Sequence, residues 1–213
     1  LHPSWIFFSD GFQLSGLAQF SKRALDLFAG LTILLFTWPL MLLAAIAIRV
    51  ESGGKGPVLF HQVRVGLNGR AFRVHKFRSM RTDAEADGVA RWATKNDSRI
   101  TRVGNFIRKT RLDELPQVFN VLRGEMSLVG PRPERPEFVE QLKRELPFYA
   151  ERHRVKPGLT GWAQLSYPYG ATMEDARNKL EYDLYYVKNA SAFLDMIILL
   201  ETVEVVLWGK GAH

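Results

Sequence analysis

The sequence predicts an α+β chain, predominantly helical, in which a re-entrant membrane helix and a small β-hairpin are surrounded by amphipathic helices. Three observations carry this reading. Residues 27–48, LFAGLTILLFTWPLMLLAAIAI, are 22 consecutive uncharged and mostly apolar positions that contain Pro39. Two short runs rich in β-branched and aromatic residues flank an Asn68-Gly69 turn signal. Most of the remaining chain reads as amphipathic helices divided by loops that carry proline and glycine.

Residues 1–20 are aromatic and nearly uncharged, with Trp5, Phe7, Phe8, Phe12 and Phe20, and read as an interfacial linker. The chain opens on Leu1 rather than Met and reads as a piece of a longer polypeptide. Residues 21–50 are the membrane element. A straight helix over the apolar run is about 33 Å long, enough for a bilayer core of roughly 30 Å. Pro39 removes a backbone donor and crowds the preceding turn, and each half of the run is too short to cross alone. Lys22 and Arg23 precede the run and Arg49 follows it. Basic residues at both ends favour keeping both on the cytoplasmic side. The preferred reading is a helix that enters one leaflet, breaks at Trp38-Pro39 and returns, and a kinked spanning helix is the alternative. Asp26 stands four residues after Lys22, at the spacing of an ion pair along a helix, or else is a headgroup-level charge with no further role.

Residues 51–213 make the cytoplasmic domain. Glu51 to Pro57 is a loop by composition, and residues 58–65 and 71–77 form the hairpin. Residues 83–98 are polar and irregular, a mobile loop. Residues 99–122 are helical in at least two pieces, with Pro116 at a break or a first turn. Gly130-Pro-Arg-Pro133 is extended or turned, residues 134–153 form a charged amphipathic helix, and Lys156 to Gly161 is a loop. Two further helices cover 172–188 and 193–208, the second packing its apolar residues into the core, with docking at the membrane interface the alternative.

The absence of cysteine excludes disulfides, thiolate metal sites and cysteine nucleophiles, and fits a reducing cytoplasmic setting. Lys and Arg total 29 against 22 acidic residues, a formal charge of +7. Ten Lys/Arg and four acids fall within residues 76–111, so nearly the whole excess sits in that stretch. Nucleic acid, anionic headgroups and phosphorylated small molecules all suit such a patch. The membrane run shifts the reading away from nucleic acid.

Asp113 and Glu114 are adjacent carboxylates that project about 100° apart on an α-helix and so border one pocket unequally. Arg108 and Arg111 lie on neighbouring faces. Such a group binds phosphate oxygens through its arginines and a hard cation through a carboxylate. An aspartate can also attack phosphorus and form an acyl phosphate. Acidic pairs on surface helices are common, so the pair alone does not establish catalysis. Lys76, Arg78 and Arg81 follow a strand, as a phosphate site or as a charged edge that prevents strand pairing. Two prolines stiffen the backbone around Arg132, which suits a guanidinium aimed at one oxyanion or simply a rigid turn.

The order of these segments resembles the bacterial sugar transferase family, the monotopic phosphoglycosyl transferases. The resemblance rests on the basic pair before a proline-bearing apolar helix, then Lys76-Phe-Arg-Ser-Met80, Arg111-Leu-Asp-Glu-Leu-Pro-Gln117 and Phe119-Asn-Val-Leu-Arg-Gly124. Ser127-Leu-Val-Gly-Pro-Arg-Pro133, Lys156-Pro-Gly-Leu-Thr-Gly-Trp-Ala-Gln164 and Asp183-Leu-Tyr-Tyr-Val-Lys-Asn189 complete it, over residues 21–208. The resemblance implies the catalytic module of a longer member at the cytoplasmic face of the bacterial inner membrane. It implies transfer of a phosphosugar from a UDP-sugar to polyprenyl (undecaprenyl) phosphate with release of UMP, the first membrane step of exopolysaccharide or glycan assembly. Asp113 matches the family nucleophile, Glu114 its supporting acid, and Mg²⁺ the cofactor beside Asp113. Arg108 and Arg132 match phosphate-binding arginines, with Arg111 and Lys76 near the site. Association with further copies of the chain is left open. A Mg²⁺-dependent nucleotide-sugar or lipid-phosphate hydrolase would use the same carboxylates, and a basic membrane scaffold would use none of them.

Overall fold

The computed structural model describes residues 16–84, 97–167, 170 and 172–208. Helix α1, Gly16–Glu51, runs for 36 residues without interruption, Pro39 included. The expected break at Trp38-Pro39 is therefore absent as a break in the helix. Proline's fixed φ is itself helical, and the lost hydrogen bond and the crowding of the preceding turn bend a helix without having to end it. The Thr37 hydroxyl meanwhile donates to the Ile33 carbonyl (2.7 Å).

Both ends of α1 are docked on the same domain. Near its start, Lys22 is buried and its Nζ donates to Asp195 (2.5 Å), the Tyr186 hydroxyl (2.9 Å) and the Val129 carbonyl (3.1 Å). Asp26 is also buried and accepts from the Ser127 hydroxyl (2.9 Å) and the Leu128 amide (2.8 Å). Arg23 donates to the carbonyls of Val121 and Leu122, both at 2.7 Å. Near its end, Ala44 and Ile48 join a core cluster with Phe77 and Ile107. Arg49 donates to the Gly56 carbonyl, and Glu51 accepts from the Val103 amide. Of the four charges expected at the membrane interface, only Arg49 is exposed. Lys22 and Asp26 do not pair with each other, because each finds better-buried partners in the domain, and Arg23 is spent on capping a helix. Between the anchors, Phe28, Leu31, Leu35, Phe36, Leu43 and Ile46 are exposed. The helix is long and apolar enough to cross a membrane and leaves that surface uncovered, the character of a membrane-associated helix.

The hairpin forms where expected. Strands β1, Leu59–Val65, and β2, Ala71–Phe77, pair antiparallel. Asn68 (φ 53°) and Gly69 (φ 75°) supply the left-handed turn that this dipeptide favours. The register sets Phe60 opposite Lys76 and Arg64 opposite Phe72, which places Arg64 and Lys76 on one face.

Helix α2, Arg102–Lys109, starts at Thr101, whose hydroxyl accepts from the Gly104 amide. A 3₁₀ segment, Leu112–Gln117, leads into α3, Val118–Arg123. Strand β3, Ser127–Val129, pairs in parallel with β4, Gly158–Thr160, a second sheet in a stretch expected as loop. Side-chain-free positions permit it: a Cβ on Gly130 would lie 2.4 Å from the Lys156 carbonyl oxygen. The single helix expected over 134–153 is two pieces, α4, Pro136–Glu145, and a 3₁₀ segment, Tyr149–Arg154. Pro147 disfavours helical geometry at Leu146, and Phe148 turns the chain with φ 64°. Helices α5, Trp162–Ser166, α6, Met173–Asn189, and α7, Ala192–Trp208, complete the chain. One face of α7 buries Asp195 and Ile198, as expected, while Phe193 and Leu200 are exposed. Residues 1–15 of the expected linker and 85–96 of the expected loop lie outside the described residues, and residues 16–20 belong to α1.

The central core joins Val74, Val121, Met126, Leu128, Tyr186 and Ile198, so hairpin, α3, β3, α6 and α7 share one apolar interior. Its polar counterpart is the Lys22 cluster. Lys22→Met leaves the Asp195 carboxylate buried without its cation, a loss of ~3–5 kcal/mol. The expected outcome is a fall in unfolding midpoint of roughly 10 °C in detergent solution, largely recovered in Lys22→Met with Asp195→Leu. An unchanged midpoint in the single variant would show that the pair contributes nothing to holding α1.

Candidate active site

The candidate site begins with a change of direction. Arg111 has a left-handed backbone (φ 58°) and separates α2 from the 3₁₀ segment that carries Asp113 and Glu114. Successive side chains on a 3₁₀ helix are about 120° apart, so the two carboxylates diverge more than an α-helix would allow. They end in opposite circumstances.

Glu114 is enclosed by cations. Its Oε1 accepts from Lys76 Nζ (2.8 Å) and from an Arg132 nitrogen (2.5 Å), and its Oε2 accepts from the other Arg132 nitrogen (3.3 Å). Burial alone would raise the Glu114 pKa, but the Arg132 guanidinium and the Lys76 ammonium outweigh it and hold the carboxyl well below the usual range. Glu114 in turn pushes the Arg132 pKa up. Asp113 is half-buried and has no hydrogen bond or ion pair among the described residues. Burial raises its pKa, the Glu114 charge adds to the rise, and Lys76, Arg108 and Arg132 oppose it. One carboxylate is thus saturated and fixed, and its neighbour is available.

Arg132 is held from several directions. Its NH1 also donates to Gln164 Oε1 (2.9 Å), and its carbonyl accepts from the buried Arg152 (2.9 Å). Arg152 is itself locked by two hydrogen bonds to Asp183, at 2.9 and 2.7 Å. The Gly130 amide donates to Thr160, the Pro131 carbonyl accepts from the Gly158 amide, and the Pro133 carbonyl accepts from Arg64. Each residue of the Gly-Pro-Arg-Pro turn thus has a backbone hydrogen bond, which limits the freedom of the guanidinium.

Of the residues singled out in the sequence, Asp113, Glu114, Lys76 and Arg132 come together. Arg108, half-buried in the last turn of α2, adds its positive field to Asp113 without an ion pair. Arg111 is exposed and joins none of the ion pairs of the cluster, because its left-handed backbone serves the turn. Pro39 lies in the exposed stretch of α1, away from this cluster. The sequence reading missed Arg64, whose NH1 lies 3.3 Å from Glu134, and the two residues that steady Arg132, Gln164 and Arg152. Strand alternation carried a signal for Arg64, a cation on the same hairpin face as Lys76. Gln164 stood at the end of a recognised motif without a role assigned to it, and Arg152 carried no signal. Among the described residues, no group of three or more His, Asp and Glu is placed to hold a metal ion by itself. A hard cation here would depend on the open Asp113 carboxylate together with ligand oxygens.

Comparison with known proteins points in one direction. The chain is 50% identical over 199 residues to a UDP-N-acetylgalactosamine-undecaprenyl-phosphate N-acetylgalactosaminephosphotransferase of Aeromonas hydrophila, covering 93% of this chain and 46% of that protein. It is 45% identical over 202 residues to a UDP-glucose:undecaprenyl-phosphate glucose-1-phosphate transferase of Escherichia coli, covering 94% and 43%. It is 47% identical over 197 residues to the exopolysaccharide production protein PSS of Rhizobium leguminosarum, covering 89% and 97%. The chain thus spans less than half of the first two relatives and nearly all of the third. With a match to the family's pattern over residues 17–209, it belongs to the bacterial sugar transferase family.

Proposed function

We propose that this chain is the catalytic part of a membrane-bound phosphoglycosyl transferase. It moves a sugar-1-phosphate from a UDP-sugar to polyprenyl (undecaprenyl) phosphate through a covalent aspartyl-phosphosugar, and releases UMP. The observation that carries the reading is the asymmetry of the acidic pair, an unpaired Asp113 beside a Glu114 saturated by Lys76 and Arg132. Relatives with these donors and this acceptor in their names support it.

In the first step an Asp113 oxygen attacks the sugar-bearing phosphorus, and the bond from that phosphorus to the bridging oxygen breaks. UMP departs with that oxygen. In the second step an oxygen of the lipid phosphate attacks the same phosphorus, and the bond to Asp113 breaks. The carboxylate is regenerated and the sugar leaves on a lipid pyrophosphate. An anionic nucleophile meets two anionic substrates, so fixed cations must offset the repulsion as charge moves. Arg132 and Lys76 supply them, held in place by Glu114, with Arg108 adding its field. The Asp113 carboxylate fits Mg²⁺, which prefers one or two carboxylates with phosphate oxygens; the ion would neutralise charge on the diphosphate.

The docking of both ends of α1 on one domain supports a helix that bends at Pro39 and so enters and leaves the same leaflet. A domain seated on the cytoplasmic face of the bacterial inner membrane would meet the lipid phosphate at headgroup depth. The relatives differ in the sugar they are named for, so membership in the family leaves the sugar to be found by experiment.

Incubating the purified chain with Mg²⁺ and a panel of UDP-sugars, without acceptor, should yield a phosphosugar mass increment by intact-protein mass spectrometry. The adduct should be absent in Asp113→Asn and discharged by polyprenyl phosphate. Lipid-dependent UMP release without any adduct would remove Asp113 as nucleophile, and UMP release beyond one equivalent per chain without lipid would favour a hydrolase.

Asp113→Asn should also raise the unfolding midpoint. A carboxyl whose folded pKa lies above its unfolded value binds more protons when folded, so stability falls as pH rises from the unfolded value through the folded one. Above the folded value the charge costs stability in full, so removing it should raise the midpoint. A fall in midpoint would contradict the raised pKa. Glu114→Gln should do the reverse, leaving Lys76 and Arg132 short of their counter-ion. The expectation is a loss of ~3 kcal/mol and a drop in UMP release of roughly a hundredfold or more, read by melting and by product assay.

A further inference from the structure

We infer that Lys156 and Arg23 form a second anion site, apart from the reacting acids, that holds the phosphate of an anionic phospholipid headgroup. The inference rests on the membrane-bound reading above. Lys156 is half-buried just ahead of β4, and its Nζ keeps a solvent-facing side and has no hydrogen-bond partner among the described residues. Arg23 gives its two terminal nitrogens to the Val121 and Leu122 carbonyls, which are neutral, so its charge stays uncompensated. Neither residue has a carboxylate partner among the described residues, whereas Lys22, Arg64, Lys76, Arg132 and Arg152 each do.

The fold holds these two like charges together. Gly124 closes α3 with a left-handed backbone (φ 83°), and a Cβ there would stand 3.5 Å from Lys156 Nζ and 3.6 Å from an Arg23 nitrogen. The bare glycine thus leaves a gap that both cations border. Burial lowers the Lys156 pKa and Arg23 lowers it further; Asp26 opposes them, and Lys22 adds a smaller downward push. Asp26 is committed to Ser127 and Leu128, and Lys22 to Asp195. The neighbouring Glu125 carboxylate accepts from Asn120 (2.7 Å), and Arg123 reaches His75 instead (3.2 Å). Two close cations without a counter-ion repel each other, and an anion that bridges them removes that cost.

The place of the gap selects the anion. Leu27 and Phe28 are the first exposed apolar residues of α1 after Arg23. Arg23 and Leu27 are about 6 Å apart along the helix axis, comparable with a headgroup layer of roughly 5–7 Å on each side of the hydrocarbon. With Leu27 at the edge of the hydrocarbon, the cations lie among the headgroups. A phosphodiester there offers charged oxygens both to the ammonium and to the remaining N–H groups of the guanidinium. A choline or ethanolamine headgroup would bring a cation of its own beside the pair, so phosphatidylglycerol fits better. The reacting acids lie before α3 and the gap lies after it, which separates this anion from the donor at Asp113.

The test is native mass spectrometry of the purified chain in detergent, titrated separately with phosphatidylglycerol, phosphatidylcholine, inorganic phosphate and polyprenyl phosphate. It is run on the unsubstituted chain, Lys156→Gln, Lys156→Arg and Arg144→Gln, the last removing an exposed cation on α4. The unsubstituted chain should bind phosphatidylglycerol more tightly than phosphatidylcholine. Lys156→Gln should weaken phosphatidylglycerol binding about fivefold, the effect of one basic residue at an anionic headgroup, while Lys156→Arg and Arg144→Gln leave it unchanged. Without lipid, the unfolding midpoint of Lys156→Gln should equal or exceed that of the unsubstituted chain, because repulsion from Arg23 is relieved. A lower midpoint would assign Lys156 a purely structural role and overturn the inference. Unchanged phosphatidylglycerol affinity in Lys156→Gln, or an equal loss in Arg144→Gln, would also overturn it. So would tighter Lys156-dependent binding of inorganic phosphate or of polyprenyl phosphate, which would assign the gap to a free ion or to the acceptor. Flotation with neutral phosphatidylcholine vesicles tests the membrane-bound reading by itself. A chain that fails to float overturns that reading, and one that floats without preferring phosphatidylglycerol overturns only this inference.

Discussion

A single carboxylate, Glu114, organises the reacting end of this molecule. It is buried, so an uncompensated charge there would be intolerable, and its compensation comes from three separate pieces of chain. Lys76 arrives on the hairpin, Glu114 on the 3₁₀ segment, and Arg132 on the turn after β3. None of these pieces is long enough to be stable alone. The ion cluster gives them a common point; Gln164 accepts from the guanidinium, Arg64 and Arg152 donate to the carbonyls of the turn, and together they limit its freedom. A buried pair of this kind adds little net stability compared with apolar packing. Its value lies in position: it leaves Asp113 as the one open acid against a fixed positive wall.

The second organising contact is the clamp between α1 and β3. Ser127, Leu128 and Val129 each bond to Lys22 or Asp26. Arg132 follows three residues later. The apolar helix is therefore linked by a short, hydrogen-bonded path to the arginine that holds Glu114. Any tilt of α1 in the bilayer would be felt first at the turn that holds the cation, while Asp113, on the 3₁₀ segment, is reached through Glu114.

Local signals were readable from the chain, and tertiary ones were not. Asn68-Gly69 announces its turn because few residues accept left-handed geometry, and the hairpin was found within a residue at its ends. Pro147 carried an equally local message, the end of a helix one residue earlier, and it was overlooked. The Asp113-Glu114 pair was visible as a candidate, but the 3₁₀ geometry that separates their roles depends on Arg111 adopting a left-handed backbone against its ordinary preference. Lys22 and Asp26 looked like headgroup charges because their partners lie more than a hundred residues away. The β3–β4 pairing escaped for the same reason: three residues on each side carry no periodicity, and the close approach at Gly130 becomes meaningful only once both strands are in place.

The clamp also orders events during synthesis. Lys22 and Asp26 leave the ribosome well before Ser127 and Asp195, which lie 101 and 173 residues further along the respective pairings. For that interval the cation and the anion, one helical turn apart, have only each other, water and headgroups as partners. Completion of the C-terminal helix supplies the last of those partners. The helix is thus no detachable anchor fused to a self-sufficient enzyme: its final seating in the bilayer and the closing of the domain are the same event, and a chain cut short before α7 would leave both unfinished.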